Sequence, residues 1–214
     1  MHRLLPLVSL FACSKPVGDE TVIEYLRGKP ADDRARLIAQ ADRRPERTDV
    51  IHRAGASLTL LGPTLDVGDP MPAVQLVDPK LGTIDLGALR GKLIVLSVVP
   101  SIDTRVCEAQ THKVSDAIPK LPAGAVAITV SRDLPFAQGR FAEEAMTQTR
   151  MGSDFRGGPF GRAFGLDVKE TGLLARSVWV IAPDGIVVYR ELVADQGMEP
   201  NYEALLAAAG NVKL

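Results

Sequence analysis

The chain has 214 residues, 46% of them apolar, a length that suits one domain plus a tail. A domain of roughly 150 residues buries about 70% of the surface its unfolded chain exposes. With 25 basic and 26 acidic residues the formal charge is −1, which leaves no net field to hold nucleic acid and argues against that partner class. No continuous apolar run approaches the ~18 residues of a membrane-spanning helix. The two cysteines, Cys13 and Cys107, lie far apart and outside any Cys-x-x-Cys, so neither a metal site nor a disulfide framework is indicated.

In chain order, Met1-His2-Arg3 precedes an apolar stretch over residues 4–12, shaped like an abbreviated signal peptide. Leu10-Phe11-Ala12-Cys13 then resembles the lipobox of bacterial lipoproteins, whose cysteine is acylated and becomes the new N-terminus. The expectation is a signal over 1–12, a lipid on Cys13, and a place at the periplasmic side of a bacterial cell envelope. Membrane contact would come only through that anchor, at about 0.8 kcal/mol per buried CH₂. The alternative is an ordinary apolar N-terminus with Cys13 a bystander in a cytoplasmic protein. Residues 13–53 read as a spacer: Pro16, Gly18, Gly28 and Pro30 break it, and a charge-rich helix over 31–44, ending before Pro45, has too few large apolar residues for a core.

The domain is expected over 54–214. A strand over 57–65 carries a hairpin turn at Gly62-Pro63, and residues 74–77 and 82–86 make a second pair across Asp78-Pro79-Lys80-Leu81. Residues 93–99, short, continuous and β-branched, read as a strand covered on both faces. A helix to about Ile118 follows, stopped by Pro119 and Pro122, then a buried strand over 125–130. Strand, helix, strand implies a right-handed parallel crossover, with the intervening loop at the carboxyl edge of the sheet. Helices are expected over 135–146 and 160–164. Residues 175–181 and 186–191 flank Ala182-Pro183-Asp184-Gly185, an antiparallel hairpin signal, and a helix over 201–209 closes the chain before Gly210.

Chemistry concentrates where the strand over 93–99 meets the following helix. Pro100 ends the strand, Asp103 and Thr104 are good N-cap types, and Cys107 falls in the first helical turn. First-turn N–H groups and the positive end of the helix dipole stabilise a thiolate, which marks Cys107 as a candidate nucleophile. Taken alone, Cys107 fits a buried inert thiol equally well; Thr104 could be only a cap and Pro100 only a strand terminator. Arg176, at the start of a buried strand, needs a partner. Arg105 is read as pointing to solvent. His2, His52 and His112 have no metal-binding companion, so no metal and no cofactor is expected; His112 is taken as solvent-facing, and Trp179 with Phe160 and Phe164 as core.

Pro100-x-x-x-Thr104-x-x-Cys107 has the spacing of the peroxiredoxin active-site motif, and Pro-Ser-Ile-Asp-Thr-x-Val-Cys at 100–107 resembles the thiol peroxidase branch. Residues 131–141 resemble that branch's second signature, and residues 172–178 the segment carrying its active-site arginine. The resemblance runs from about Leu58 to Ala209. It implies a thioredoxin-like α/β fold, with a central mixed sheet flanked by helices and an N-terminal β-hairpin. It also implies a peroxidase acting on hydrogen peroxide and alkyl hydroperoxides, with Cys107 as peroxidatic sulfur, the Thr104 hydroxyl brought back beside it by one turn to donate to a peroxide oxygen, Pro100 closing the loop and shielding the sulfur, and Arg176 as the cation beside it. Phe136 and Phe141 could border the site, and a homodimer is suggested. The branch usually carries a resolving cysteine directly after the Arg-Phe of its second signature, where this chain has Arg140-Phe141-Ala142. Reduction is therefore expected from an external thiol, such as a thioredoxin-like protein, in a one-cysteine cycle. The competing reading is a non-turning peroxide sensor or redox-dependent binding lipoprotein. A thiol–disulfide oxidoreductase is disfavoured, because Thr104-Arg105-Val106-Cys107 stands where a Cys-x-x-Cys pair would be required.

Overall fold

The computed structural model describes residues 44–213. Its elements begin with strands β1 (Glu46–Arg53), β2 (Ala56–Leu61), β3 (Gln75–Val77), β4 (Thr83–Asp85) and β5 (Ile94–Val98). Helix α1 (Arg105–Ala117), strand β6 (Val126–Ser131), helix α2 (Pro135–Glu144) and strand β7 (Arg150–Ser153) follow. The chain then forms α3 (Pro159–Phe164), β8 (Asp167–Val168), β9 (Ser177–Ile181), β10 (Val187–Leu192) and α4 (Tyr202–Gly210). Among the described residues the main sheet has seven strands in the order β10-β9-β5-β6-β7-β3-β4, and a second sheet has the order β1-β2-β8.

Strand β5 sits inside that sheet, parallel to β6 and antiparallel to β9, and all five of its residues are buried. Its continuous apolar run is explained by cover on both faces. Ile94, Leu96 and Val98 pack into one core with Ile128, Val130, Phe160, Phe164 and Trp179. Leu93 and Val95 pack into another, with Val114 of α1 and Leu205 and Ala209 of α4. Successive side chains of a strand point to opposite faces, so one run feeds both cores. Phe160 stacks on Phe164 at 4.2 Å between centroids, and Phe164 meets Trp179 edge-on at 5.5 Å, which makes these rings core as expected. The mixed sheet covered by helices is the thioredoxin-like α/β fold.

The N-terminal hairpin differs from its expected form. Its turn is Ala54-Gly55, both at positive φ (50° and 80°), not Gly62-Pro63. A two-residue turn with both φ positive matches the right-handed twist of the flanking strands. Gly62 instead permits a close approach: at φ 110° it lies so near α3 that a Cβ would meet Arg162 O at 2.9 Å and Gly165 Cα at 3.0 Å. The spacer drawn through Arg53 is correspondingly shorter, because Glu46–Arg53 is strand β1 of the domain. β1 escapes the alternation rule because only Ile51 is buried and a register shift interrupts it between Arg47 and Ile51. β7 and β8, four and two residues long, are further additions to the expected elements. The signal over 1–12, Cys13, and the helix expected over 31–44 apart from its last residue lie outside the described residues.

Candidate active site

Strand β5 delivers the chain to the site. The ladder continues one residue further, Val99 N–H donating to Val130 O at 2.9 Å, and ends at the buried Pro100, which has no N–H to offer. Residues 101–103 turn the chain into α1, whose N-cap is Thr104 in extended conformation (φ −117°, ψ 142°). Glu108 N–H makes the first return bond of the helix, to Thr104 O at 2.9 Å. The amides of the preceding turn, including that of Cys107, face the N-terminal end without helical acceptors. Cys107 is fully buried.

Thr104 is the N-cap residue but makes no capping hydrogen bond with its side chain. Its hydroxyl instead donates to Cys107 Sγ at 2.9 Å, with Ser101 O as a distant alternative at 3.5 Å. A hydroxyl has one hydrogen, and here the sulfur takes it.

Arg176 reaches the same sulfur from the residue before β9, 69 positions away in sequence. Only 1% exposed, it donates from Nη2 to Cys107 Sγ at 3.2 Å and from Nη1 to Gln110 Oε1 at 2.7 Å. Its Nε donates to Gln196 O at 3.2 Å, and its backbone N–H to Gln196 Oε1 at 2.5 Å. Gln110 is in turn fixed by donating to Ser97 Oγ (2.9 Å) and Val98 O (3.3 Å) on β5. Among the described residues these partners of the guanidinium are neutral amides and carbonyls, plus one sulfur. Arg176 thus brings a buried positive charge to 3.2 Å from that sulfur.

The segment bearing Gln196 is tied down by Glu199, which accepts from Lys113 Nζ at 2.9 Å and from Tyr202 OH at 2.6 Å. Those two hydrogen bonds, and more weakly the charge of Arg176, hold its carboxyl below the usual 4.5. Burial and the neighbouring carboxylate push the Tyr202 phenol well above its ordinary value.

Apolar groups close the sulfur's other side. Val99, Ile102 and Met151 pack with Cys107, and Ala137, Phe141 and Ala142 of α2 lie against that cluster. Of the two phenylalanines expected near the site, Phe141 borders it, whereas Phe136 is 57% exposed and outside the cluster. Ala142 brings only a methyl. His112 is 42% exposed, 3.9 Å from Glu108, and tilted against Phe141. Arg105 is exposed. His52 pairs with Asp195 at 4.0 Å. No group of three potential metal ligands occurs among the described residues.

The structure thus brings Pro100, Thr104, Cys107 and Arg176 to one loop-and-helix junction. Sequence reasoning missed Gln110 and Gln196. Gln110 left a signal, since three residues after Cys107 on a helix is the same face; Gln196, in an irregular segment after β10, left none.

The redoxin family matches residues 66–206. The chain is 42% identical over 157 residues to the thiol peroxidase of Bacillus subtilis (strain 168), covering 72% of this chain and 93% of that one. It is 39% identical over 159 residues to the thiol peroxidase of Mycobacterium tuberculosis (strain ATCC 25618 / H37Rv), covering 73% and 95%. Among solved structures it resembles a peroxiredoxin-like protein from Aquifex aeolicus, with a TM-score of 0.71 at 35% identity, over 77% of this chain and 96% of that one. The chain belongs to the thiol peroxidase/peroxiredoxin family and is a peroxiredoxin-type peroxidase.

Proposed function

We propose that Cys107 is the peroxidatic residue of a one-cysteine cycle reducing hydrogen peroxide and alkyl hydroperoxides, with the second half of the cycle supplied by an external thiol. The observation that carries this reading is Arg176, a buried guanidinium 3.2 Å from Cys107 Sγ whose other contacts are neutral. The sulfur is the group that its Nη2 meets.

As a thiolate, Cys107 attacks the terminal oxygen of ROOH: an S–O bond forms, the O–O bond breaks, and the leaving RO⁻ takes a proton to become ROH. Negative charge passes from sulfur to oxygen along that line. Thr104 Oγ and Arg176 Nη2, both already aimed at the sulfur, can shift their hydrogen bonds onto the two peroxide oxygens as that happens. Val99, Ile102 and Met151 keep bulk water off the attack line. The sulfenic acid then reacts with an external thiol R′SH, forming a mixed disulfide and water. A second R′SH releases Cys107 and departs as R′SSR′. The external reductant is needed because the second signature, with Ala142 after Arg140-Phe141, offers no thiol of its own.

Steady-state peroxide consumption across a panel of thiol reductants, by wild type and Cys107→Ser, tests this. Turnover lost in Cys107→Ser and a trapped mixed disulfide between Cys107 and a thioredoxin-like reductant are expected. Stoichiometric oxidation with no turnover under any reductant would instead favour a peroxide sensor. At the N-terminus we propose acylation of Cys13 and tethering at the periplasmic face of the envelope, on the lipobox-like Leu10-Phe11-Ala12-Cys13. Metabolic labelling with a fatty acid, lost in Cys13→Ser, checks it; an unlabelled wild type would refute it.

A further inference from the structure

Cys107 is fully buried, so the thiol that reduces its sulfenic acid reaches it in line only when part of its cover moves, and Ile102 of the 100–104 loop is part of that cover. One side chain outside the motif holds that loop from the neighbouring strand: Asp133, just beyond the carboxyl end of β6. One of its carboxylate oxygens accepts from Ser101 Oγ at 2.8 Å, the other from Ile102 N–H at 2.8 Å. The aspartate's own backbone is pinned on both sides. Ser153 Oγ donates to its carbonyl at 2.5 Å, and its N–H donates to Ser131 Oγ at 3.3 Å. Ser131 and Ser153 are register partners across the parallel β6 and β7, and Ser131 Oγ also accepts from the buried Gln138 at 2.8 Å. The carboxylate is therefore carried by the sheet edge and reaches a loop whose own internal hydrogen bonds are long, Asp103 N–H to Ser101 Oγ at 3.3 Å and Thr104 Oγ to Ser101 O at 3.5 Å.

We infer that Asp133 is the positioning residue that latches the 100–104 loop in its peroxide-reactive form, and that its release admits the reducing thiol. This rests on the peroxidase reading above. The connection runs through short links. Asp133 fixes Ser101 and Ile102; Ile102 packs directly on Cys107; and the same turn sets Thr104, whose hydroxyl meets Sγ. Holding Thr104 and Ile102 in place favours attack on peroxide and opposes the approach of a bulkier thiol. Asp133 thus acts through the loop and touches neither sulfur nor substrate, so its loss should divide the two half-reactions rather than depress both.

The full-length protein, reduced beforehand, is mixed with one equivalent of hydrogen peroxide and quenched over time, and oxidation at Cys107 is read by mass spectrometry. Oxidised protein is then mixed with dithiothreitol and the return is followed in the same way. Asp133→Ala removes both acceptors and should slow the peroxide step by about tenfold or more, while the thiol step stays unchanged or quickens. Asp133→Asn can keep both contacts, its Oδ1 accepting from Ile102 N–H and its Nδ2 donating to Ser101 Oγ, and should restore the peroxide rate to within about threefold. Should Asp133→Ala not fold, Ser101→Ala severs one of the two links from the loop side and should slow the peroxide step by about threefold with the thiol step intact. A peroxide step unchanged in Asp133→Ala, an asparagine variant as slow as the alanine one, or equal slowing of both steps overturns the assignment. A wild type that peroxide leaves unoxidised overturns the peroxidase reading itself, whereas a reactive wild type matched by Asp133→Ala overturns this inference alone.

Discussion

Two arginine sites in this molecule both lie against buried groups and differ in what answers the charge. Arg132, with Arg44, faces carboxylates: both contact Asp167, and Arg132 Nε also lies 3.5 Å from Asp154. Arg176 faces amides, carbonyls and a sulfur. At the first site cations and anions neutralise one another, and the result is a clamp. It joins β8 to the end of β6 and, through Asp154 accepting from Phe160 and Gly161 N–H at 2.8 and 3.0 Å, to the start of α3. At the second, the guanidinium's hydrogen bonds go to neutral groups and the sulfur, with the Glu199 carboxylate feeling its charge only weakly, which is the arrangement the proposed attack at Cys107 requires.

Breaking the clamp should therefore cost stability and spare the chemistry. Asp167→Ala leaves two guanidiniums without their shared anion and is expected to lower unfolding free energy by about 3 kcal/mol, measured by denaturant titration. Its peroxide-step rate should stay within about threefold of wild type; a larger fall would erase the distinction. The reverse pattern is expected at the other site. Arg176→Met keeps much of the side-chain volume and removes the charge, and should slow oxidation of Cys107 by about 10²-fold, close to 3 kcal/mol of transition-state stabilisation. A rapid-mixing rate near wild type would show that the guanidinium only fills space.

Gln110→Leu probes how far the neutral acceptors matter. It strips Arg176 Nη1 and Ser97 Oγ of a buried partner, and a loss of about tenfold in the peroxide step is expected. The smallest effect belongs to the outer tether. The Glu199 carboxyl is held below its usual 4.5 by Lys113 and Tyr202. The folded protein therefore keeps it ionised to lower pH than the unfolded chain does. Its contribution is fully present above pH 4.5 and fades as pH falls through the lowered value. It is worth no more than about 1 kcal/mol for so accessible a pair. Comparing unfolding of wild type and Glu199→Gln between neutral and acid pH should show a difference that shrinks with acidification. One that grows would contradict the sign.

The residues readable from sequence are those where local pattern and tertiary role agree. The run over 93–99 is apolar because both faces of β5 are covered, and Ala182-Pro183-Asp184-Gly185 marks the β9–β10 hairpin through its turn chemistry. Cys107 and Thr104 share one helical turn, so their spacing alone brings them together. Features are hidden where distant packing decides. β1 shows no alternation because Ile51 alone turns inward. β7 contains Gly152, whose missing Cβ leaves room for Leu76 of β3, 2.8 Å from where it would stand; a short strand with a glycine carries little β-propensity. Gln110 sits in the polar stretch from Glu108 to Lys113 and reads as a surface amide, yet it is fully buried because Arg176 needs an acceptor there. Thr104 suits a cap by residue type; the sulfur's claim on its hydrogen is visible only in three dimensions.

The central claim is that a sulfur paired with a guanidinium whose other hydrogen bonds go to neutral groups breaks O–O bonds. It is tested most directly by one turnover without any reductant: pre-reduced protein, one equivalent of hydrogen peroxide, and intact-mass analysis with a sulfenic-acid trap. A single oxygen added at Cys107 in wild type, slowed by about 10²-fold in Arg176→Met and absent in Cys107→Ser, is the predicted result. A wild-type thiol left reduced, or one oxidised just as fast in Arg176→Met, would contradict it.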